Sequence, residues 1–196
     1  MIHTIFLDLD DVLNTLAPCV LNAVGCPIES NDYSKIPGEF GFAMEEVANY
    51  MIGTGYTWET FWNTIPRKVW ANVPQSDFFD WIIKTCEIAV GQKNVFIATR
   101  PTNEPDCAAG KMEWIHANLP SWLHRQFVIT PCKWLLAQSY TLLIDDNEDN
   151  VNRFQRRGGH AILVPRPWNW LRSRGNPQPC IAEQMATFHF PMKGLE

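Results

Sequence analysis

Apolar and polar positions along this chain fall into short alternating blocks. Five apolar runs rich in Ile, Val, Leu, Phe and Thr read as buried strands: one from Thr4 that stops at Asp8, then 94–99, 126–130, 141–145 and 160–164. Between them lie segments with helical spacing. Leu16, Val20, Leu21 and Val24 share a stripe within 15–24, which Gly25-Cys26-Pro27 closes. Phe79, Ile82, Ile83 and Cys86 do the same within 78–90. Further helices are predicted at about 107–118, briefly from Trp134, and from an Asn147 cap through Arg157 to Gly158-Gly159. Strands alternating with helices predict an α/β fold, with a parallel sheet and helices on both faces.

Residues 27–76 break that rhythm. Pro, Gly, Asn and aromatics are frequent, no strand is evident, and short helical patterns occur only at 43–51 and 58–65. A connection of this length is seldom idle in a compact domain, so a small helical lid is expected there. The core domain would then comprise 1–26 and 77–196, with 27–76 inserted after the first strand. Beyond Pro165 the Pro-, Arg- and Trp-rich tail is weakly patterned, and the expectation is only that it wraps the domain. No internal repeat is visible.

Composition narrows the class. Hydrophobic content of 46% with 19% charge is that of a globular chain. The formal charge of −5 gives no general attraction to nucleic acid or anionic membrane. Six arginines (Arg153, Arg156, Arg157, Arg166, Arg172, Arg174) gather late, as a solvated face or an anion-attracting rim. No apolar run approaches the roughly 20 residues of a membrane span. A chain opening on a core strand, with six scattered cysteines, leads to the expectation of a cytoplasmic protein without a signal peptide and with reduced thiols.

The candidate chemistry lies where the strands end. Asp8 and Asp10 close the first, Thr99 followed by Arg100 the second, Lys133 follows the third, and Asp145-Asp146 close the fourth. Ligands of open parallel sheets bind at these carboxyl ends. Asp-rich strand ends can be mere caps and turns. Two such ends in one chain favour a cation or a proton between mutually repelling carboxylates.

Four strands delivering Asp/Asp, Thr, Lys and Asp/Asp in that order resemble the haloacid dehalogenase (HAD) superfamily. Asp10 excludes the dehalogenase branch, where the second Asp is absent. The narrower resemblance is to the 5'(3')-deoxyribonucleotidases, through Phe96 to Pro101, a helix start at Lys111 to Trp114, Thr130 to Lys133, and Leu142 to Asp146. It implies a HAD-like Rossmannoid parallel sheet with the first strand central and a helical type-1 cap at 27–76. It further implies a Mg²⁺-dependent phosphatase of deoxynucleoside monophosphates. In that reading Asp8 is nucleophile and metal ligand, and Asp10 is general acid/base and ligates through its carbonyl. One of Asp145 and Asp146 completes the metal site, and Thr99, Arg100 and Lys133 hold phosphate. An Asp10 that shuttles protons must hold one part of the time, so negative neighbours are expected around it.

Of the cap aromatics, Phe42 and Trp62 fall nearest the places that enclose a base in that family, whereas its usual aromatic eight residues past the nucleophile is Leu16. Asp11 stands where the family commonly has Gly, and Arg100 where it commonly has Ser. Arg100 could clamp phosphate or pair with Glu104. Small-molecule partners are expected, with homodimer formation left open. Rival readings are a polynucleotide 3'-phosphatase, a sugar-phosphate phosphatase, and a non-catalytic nucleotide-binding protein on the same fold.

Overall fold

The computed structural model describes residues 1–29 and 31–191. The elements run β1 (Thr4–Leu7), α1 (Leu16–Ala23), α2 (Met44–Ile52), α3 (Trp58–Asn63), α4 (Arg67–Ala71), α5 (Phe79–Val90), β2 (Val95–Thr99), α6 (Pro105–Asn118), β3 (Phe127–Ile129), β4 (Thr141–Asp145), α7 (Glu148–Arg156), β5 (His160–Leu163) and α8 (Pro177–Met185). The five strands form one parallel sheet in the order β3-β2-β1-β4-β5, with β1 central. The expected fold class is therefore the observed one.

Period-two alternation divides the sheet between two cores. Ile5, Leu7, Ile97 and Ile144 face a large cluster shared with α1, α5 and α6. Phe6, Ala98, Leu143 and Ala161 face a smaller one built with Val151 and Phe154 of α7. Val47, Phe61, Trp62, Trp70 and Val73 of 27–76 belong to the large cluster, so among the described residues this segment packs into the same core. The insertion is also tied at its base, where Thr15 donates its N–H to the Pro74 carbonyl (3.0 Å) and Ser76 donates to that of Leu13 (3.0 Å).

Three elements differ from the sequence reading. Helix α6 begins at Pro105, so Lys111 to Trp114 lie in its middle rather than at its start. Pro in the first helical turn is tolerated because its missing N–H would have no partner there. The same masking hid α8, which has Pro177 at its start and an Asn176 side chain accepting from the Gln178 N–H. Helix α4 was too short to show a stripe. It crosses α6 so closely that a Cβ on Gly110 would sit 2.4 Å from the Trp70 Cβ and 2.8 Å from the Arg67 carbonyl oxygen. All six cysteines are free, and among the described residues no helix is long and apolar enough to cross a membrane.

Candidate active site

The register of the sheet puts the key carboxylates side by side. Leu7 is level with Ile144 of β4, so Asp8 and Asp145, one residue on, emerge together at the same edge and to the same side. The Lys133 ammonium sits between them, 2.7 Å from Asp8 Oδ1 and 2.7 Å from Asp145 Oδ2. Lys133 opens a short 3-10 turn, Lys133–Leu136, that follows β3 and packs against α7. Burial works against its charge, yet Asp145 and Asp8 hold its pKa above the usual lysine range. It is a fixed cation.

Asp145 and Asp146 are adjacent but differently occupied. Asp145 Oδ1 accepts from the Asn147 N–H (2.9 Å) and the Asn150 side chain (3.2 Å), and its Oδ2 from Lys133 and Asn150. Among the described residues, Asp146 Oδ2 accepts only the Trp168 indole N–H (2.8 Å). Asp8 Oδ1 accepts from the Leu9 N–H (2.7 Å) and Lys133, while no hydrogen bond reaches Oδ2 among the described residues. One carboxylate oxygen from each of Asp8, Asp145 and Asp146 lies within 4.8 Å of the others.

Burial pushes the Asp8 carboxyl up to about 8 against the pull of Lys133, and pushes Asp146 well above its ordinary range, with repulsion from Asp11, Asp145 and Asp8 adding to it. If Asp8, Asp145 and Asp146 all ionise, one ammonium leaves negative charge uncompensated, and burial makes that costly enough for Asp8 and Asp146 to hold protons tightly without a metal cation. An all-oxygen donor set of this kind fits a hard divalent cation.

Asp10 turns away from this cluster. Its Oδ2 meets the Lys111 ammonium at 2.5 Å and its Oδ1 accepts weakly from Asn14 (3.4 Å). Its immediate partner is therefore a cation, while Asp8 and Asp11 stand close enough to repel it, as the negative neighbours anticipated from sequence. Lys111 also donates to Thr99 Oγ1 (3.0 Å) and to the Arg100 carbonyl, and lies 5.4 Å from the Trp70 ring centroid. Sequence reading missed Lys111 as a site residue. The signal was present: Cys107, Lys111 and Trp114 recur at helical spacing and all are buried, so this lysine stands in an inward-facing stripe.

Asp11 has φ of 57°, the left-handed conformation that Gly adopts freely. It is retained by what its carboxylate holds: the Ala17 N–H in the first turn of α1 (2.9 Å) and the Tyr33 hydroxyl (2.7 Å). Helix α1 has no side-chain cap from Thr15, so Asp11 supplies one from outside. Burial raises its carboxyl to about 6, with Arg166 opposing. Arg166 Nε donates to the Asp11 carbonyl (2.7 Å).

A cavity of about 130 Å³ opens beside these groups. Asp8, Asp10, Lys111, Lys133 and Asp146 line its polar side, and Leu16, Phe42, Trp58, Trp62 and Trp70 its apolar side. Phe42 is 37% exposed, with its ring edge-on to Trp168. Trp62 is 4% exposed, stacked on Trp70 and edge-on to Phe61. Arg100 is exposed at the rim, and its guanidinium makes no ion pair with Glu104 among the described residues.

A family model described as 5' nucleotidase, deoxy (pyrimidine), cytosolic type C matches residues 1–173. The chain belongs to that family. The nucleotidase is thus a phosphomonoester hydrolase of HAD type. Its fold is similar to that of a HAD-family hydrolase from Deinococcus radiodurans solved with phosphate and sodium, at TM-score 0.52 and 13% identity, covering 89% of this chain and 88% of that one. It is also similar to the HAD-hydrolase YfnB of Bacillus subtilis, solved with magnesium, at TM-score 0.51 and 12% identity over 83% and 86% of the two chains. A hydrolase from Streptococcus pneumoniae gives TM-score 0.52 at 8% identity over 84% and 94%. No curated protein matches the sequence.

Proposed function

We propose that this nucleotidase is a Mg²⁺-dependent phosphatase of deoxynucleoside monophosphates, acting through an aspartyl-phosphate on Asp8, with 27–76 as its cap. The observation that supports it best is the grouping of Asp8, Asp145 and Asp146 around a cation-sized space, with Lys133 held against Asp8. Asp8, Asp146 and the Asp10 carbonyl would hold the metal. Asp145 is the poorer ligand of the adjacent pair, because its oxygens already accept from Lys133, Asn147 and Asn150. Bound there, Mg²⁺ supplies Lewis-acid charge that lets a carboxylate approach a phosphate dianion.

The side chains then divide the work. Asp8 Oδ2 forms a bond to phosphorus as the ester P–O bond breaks, and Asp10 gives a proton to the departing alkoxide. In the second step Asp10 takes a proton from water, whose oxygen attacks the same phosphorus and returns Asp8 as carboxylate. Lys133 fixes the Asp8 rotamer, and Lys111 fixes that of Asp10. Thr99, Arg100 and Lys133 are the phosphate-holding groups. The aromatic wall beside the carboxylates suits a flat base, and Phe42 offers it an exposed ring.

Three of the six late arginines are already committed within the fold. Arg166 is buried, while Arg153 pairs with Asp149 and Arg174 with Glu183. The test is turnover of a panel of 5'- and 3'-phosphomonoesters with and without Mg²⁺, on wild type and Asp8→Asn. Activity on deoxynucleotides that needs Mg²⁺ and disappears in Asp8→Asn, with an unchanged circular-dichroism spectrum, is the expected result. Residual turnover in Asp8→Asn would remove the covalent route.

A further inference from the structure

We propose that Trp168, in the tail beyond β5, is the positioning residue for Asp146, holding one of its oxygens so that the other faces the metal site. This rests on the metal assignment proposed above. Asp146 sits among Asp8, Asp145 and Asp11, all buried, and their repulsion would swing a free carboxylate away from the cluster. Two tail residues prevent that. The Trp168 indole N–H donates to Asp146 Oδ2 at 2.8 Å, and the Asn169 side chain donates to the Asp146 carbonyl at 2.9 Å. Asn169 is itself anchored to the Val164 carbonyl at 2.7 Å, so the clamp is referenced to the end of β5.

The chemistry of the donor matters. Indole offers one neutral N–H and no acceptor, so it fixes a carboxylate without adding positive charge that would compete with a cation. Asp145, which Lys133 neutralises in part, contrasts with it. The ring of Trp168 is wedged against Phe42 at 5.3 Å and Tyr33 at 6.0 Å between centroids, which fixes where its N–H points. Donors that orient metal ligands in this way typically affect metal affinity by 10–100-fold.

The test is Trp168→Phe in the full chain, which keeps a ring against Phe42 and Tyr33 and deletes only the donor side. Mg²⁺ binding is read by calorimetric titration and by the Mg²⁺-induced rise in melting temperature. Affinity roughly 10-fold or more weaker, with the metal-free melting temperature close to wild type, is expected. Trp170→Phe is the control, since Trp170 is 69% exposed and touches none of the site carboxylates. An affinity within about twofold of wild type in Trp168→Phe would overturn the inference but leave the metal site standing. A wild-type chain that binds no Mg²⁺ would overturn both. Should the variant not fold, the wild-type protein labelled with ¹⁵N-tryptophan decides. The Trp168 indole resonance, assigned by triple-resonance experiments, should move on Mg²⁺ addition, and an unmoved resonance at saturation overturns the inference.

Discussion

At the scale of single residues, one lysine joins the proposed acid/base group to the groups proposed to hold phosphate. Lys111 touches Asp10, Thr99 and the Arg100 carbonyl at once, so removing its ammonium frees the Asp10 rotamer. Lys111→Met, which keeps most of the stem, should lower kcat roughly 10²-fold, at the lower end of what Asp10→Asn should cost. If Lys111 acts through Asp10, the double variant should be little worse than Asp10→Asn alone. Additive losses in steady-state assays would give Lys111 a separate role. The carboxylates, Thr99 and Lys133 were legible in the sequence because each ends or follows an apolar strand. Lys111 sits within a helix whose charged residues otherwise face water, and only its phase on the buried stripe gives it away. Trp168 and Asn169 had no such phase, because irregular chain carries no period.

At the scale of elements, the fold was readable wherever a strand or helix was bounded by Gly, Pro or a cap. It failed where prolines opened a helix in the unpatterned tail, as at α8, or where the helix was a single turn, as at α4, and at α6 it set the start about two residues late. The α4–α6 crossing depends on Gly110. An Ala in a helix interior usually gains about 1 kcal/mol over Gly. Here the new methyl would meet backbone and Trp70, and overpacking of that kind costs typically 1–3 kcal/mol, so Gly110→Ala should lower the midpoint of chemical denaturation. Phe42 and Trp62, expected to share a role, should separate on mutation. Trp62→Ala empties a buried, ring-packed position on the cavity wall and should cost roughly 3–5 kcal/mol of stability besides any loss of base contact. Phe42→Ala should lower kcat/KM for a deoxynucleoside monophosphate by about 5- to 150-fold on the scale of base stacking, and spare p-nitrophenyl phosphate. Equal losses on both substrates would place Phe42 outside base recognition.

At the scale of the whole molecule, the site is a concentrated source of instability that a cation should relieve. Asp8, Asp11 and Asp146 all have carboxyls raised by burial, Asp11 to about 6 and Asp8 to about 8. A folded-state value above the unfolded one means that the folded protein binds the proton more tightly. The stability this gives is complete below the ordinary carboxylate range, near pH 4, and is lost as pH climbs through about 6 and then about 8. In chelator, the melting temperature should therefore fall by several degrees between about pH 5 and pH 8. Millimolar Mg²⁺ binds the folded site and hardly the unfolded chain, so it should restore most of the loss, and most strongly at the upper end. Differential scanning fluorimetry across that range, with chelator and with Mg²⁺, checks both slopes. Parallel curves would dissociate the carboxylates from cation binding.

The bond from Arg166 to the Asp11 carbonyl spans 155 residues. Ribosomes add about 5–20 residues each second, so the catalytic turn near the amino end waits roughly 10–30 s for the arginine that steadies it. Through that interval a nascent chain can pair β1 with β2 and β4 and yet carry an unsecured acidic turn. Chains stalled or cut just before Arg166 would hold every carboxylate of the site and still be poor enzymes. Activity of the emerging polypeptide is thus timed by a residue made 155 positions after the turn it steadies.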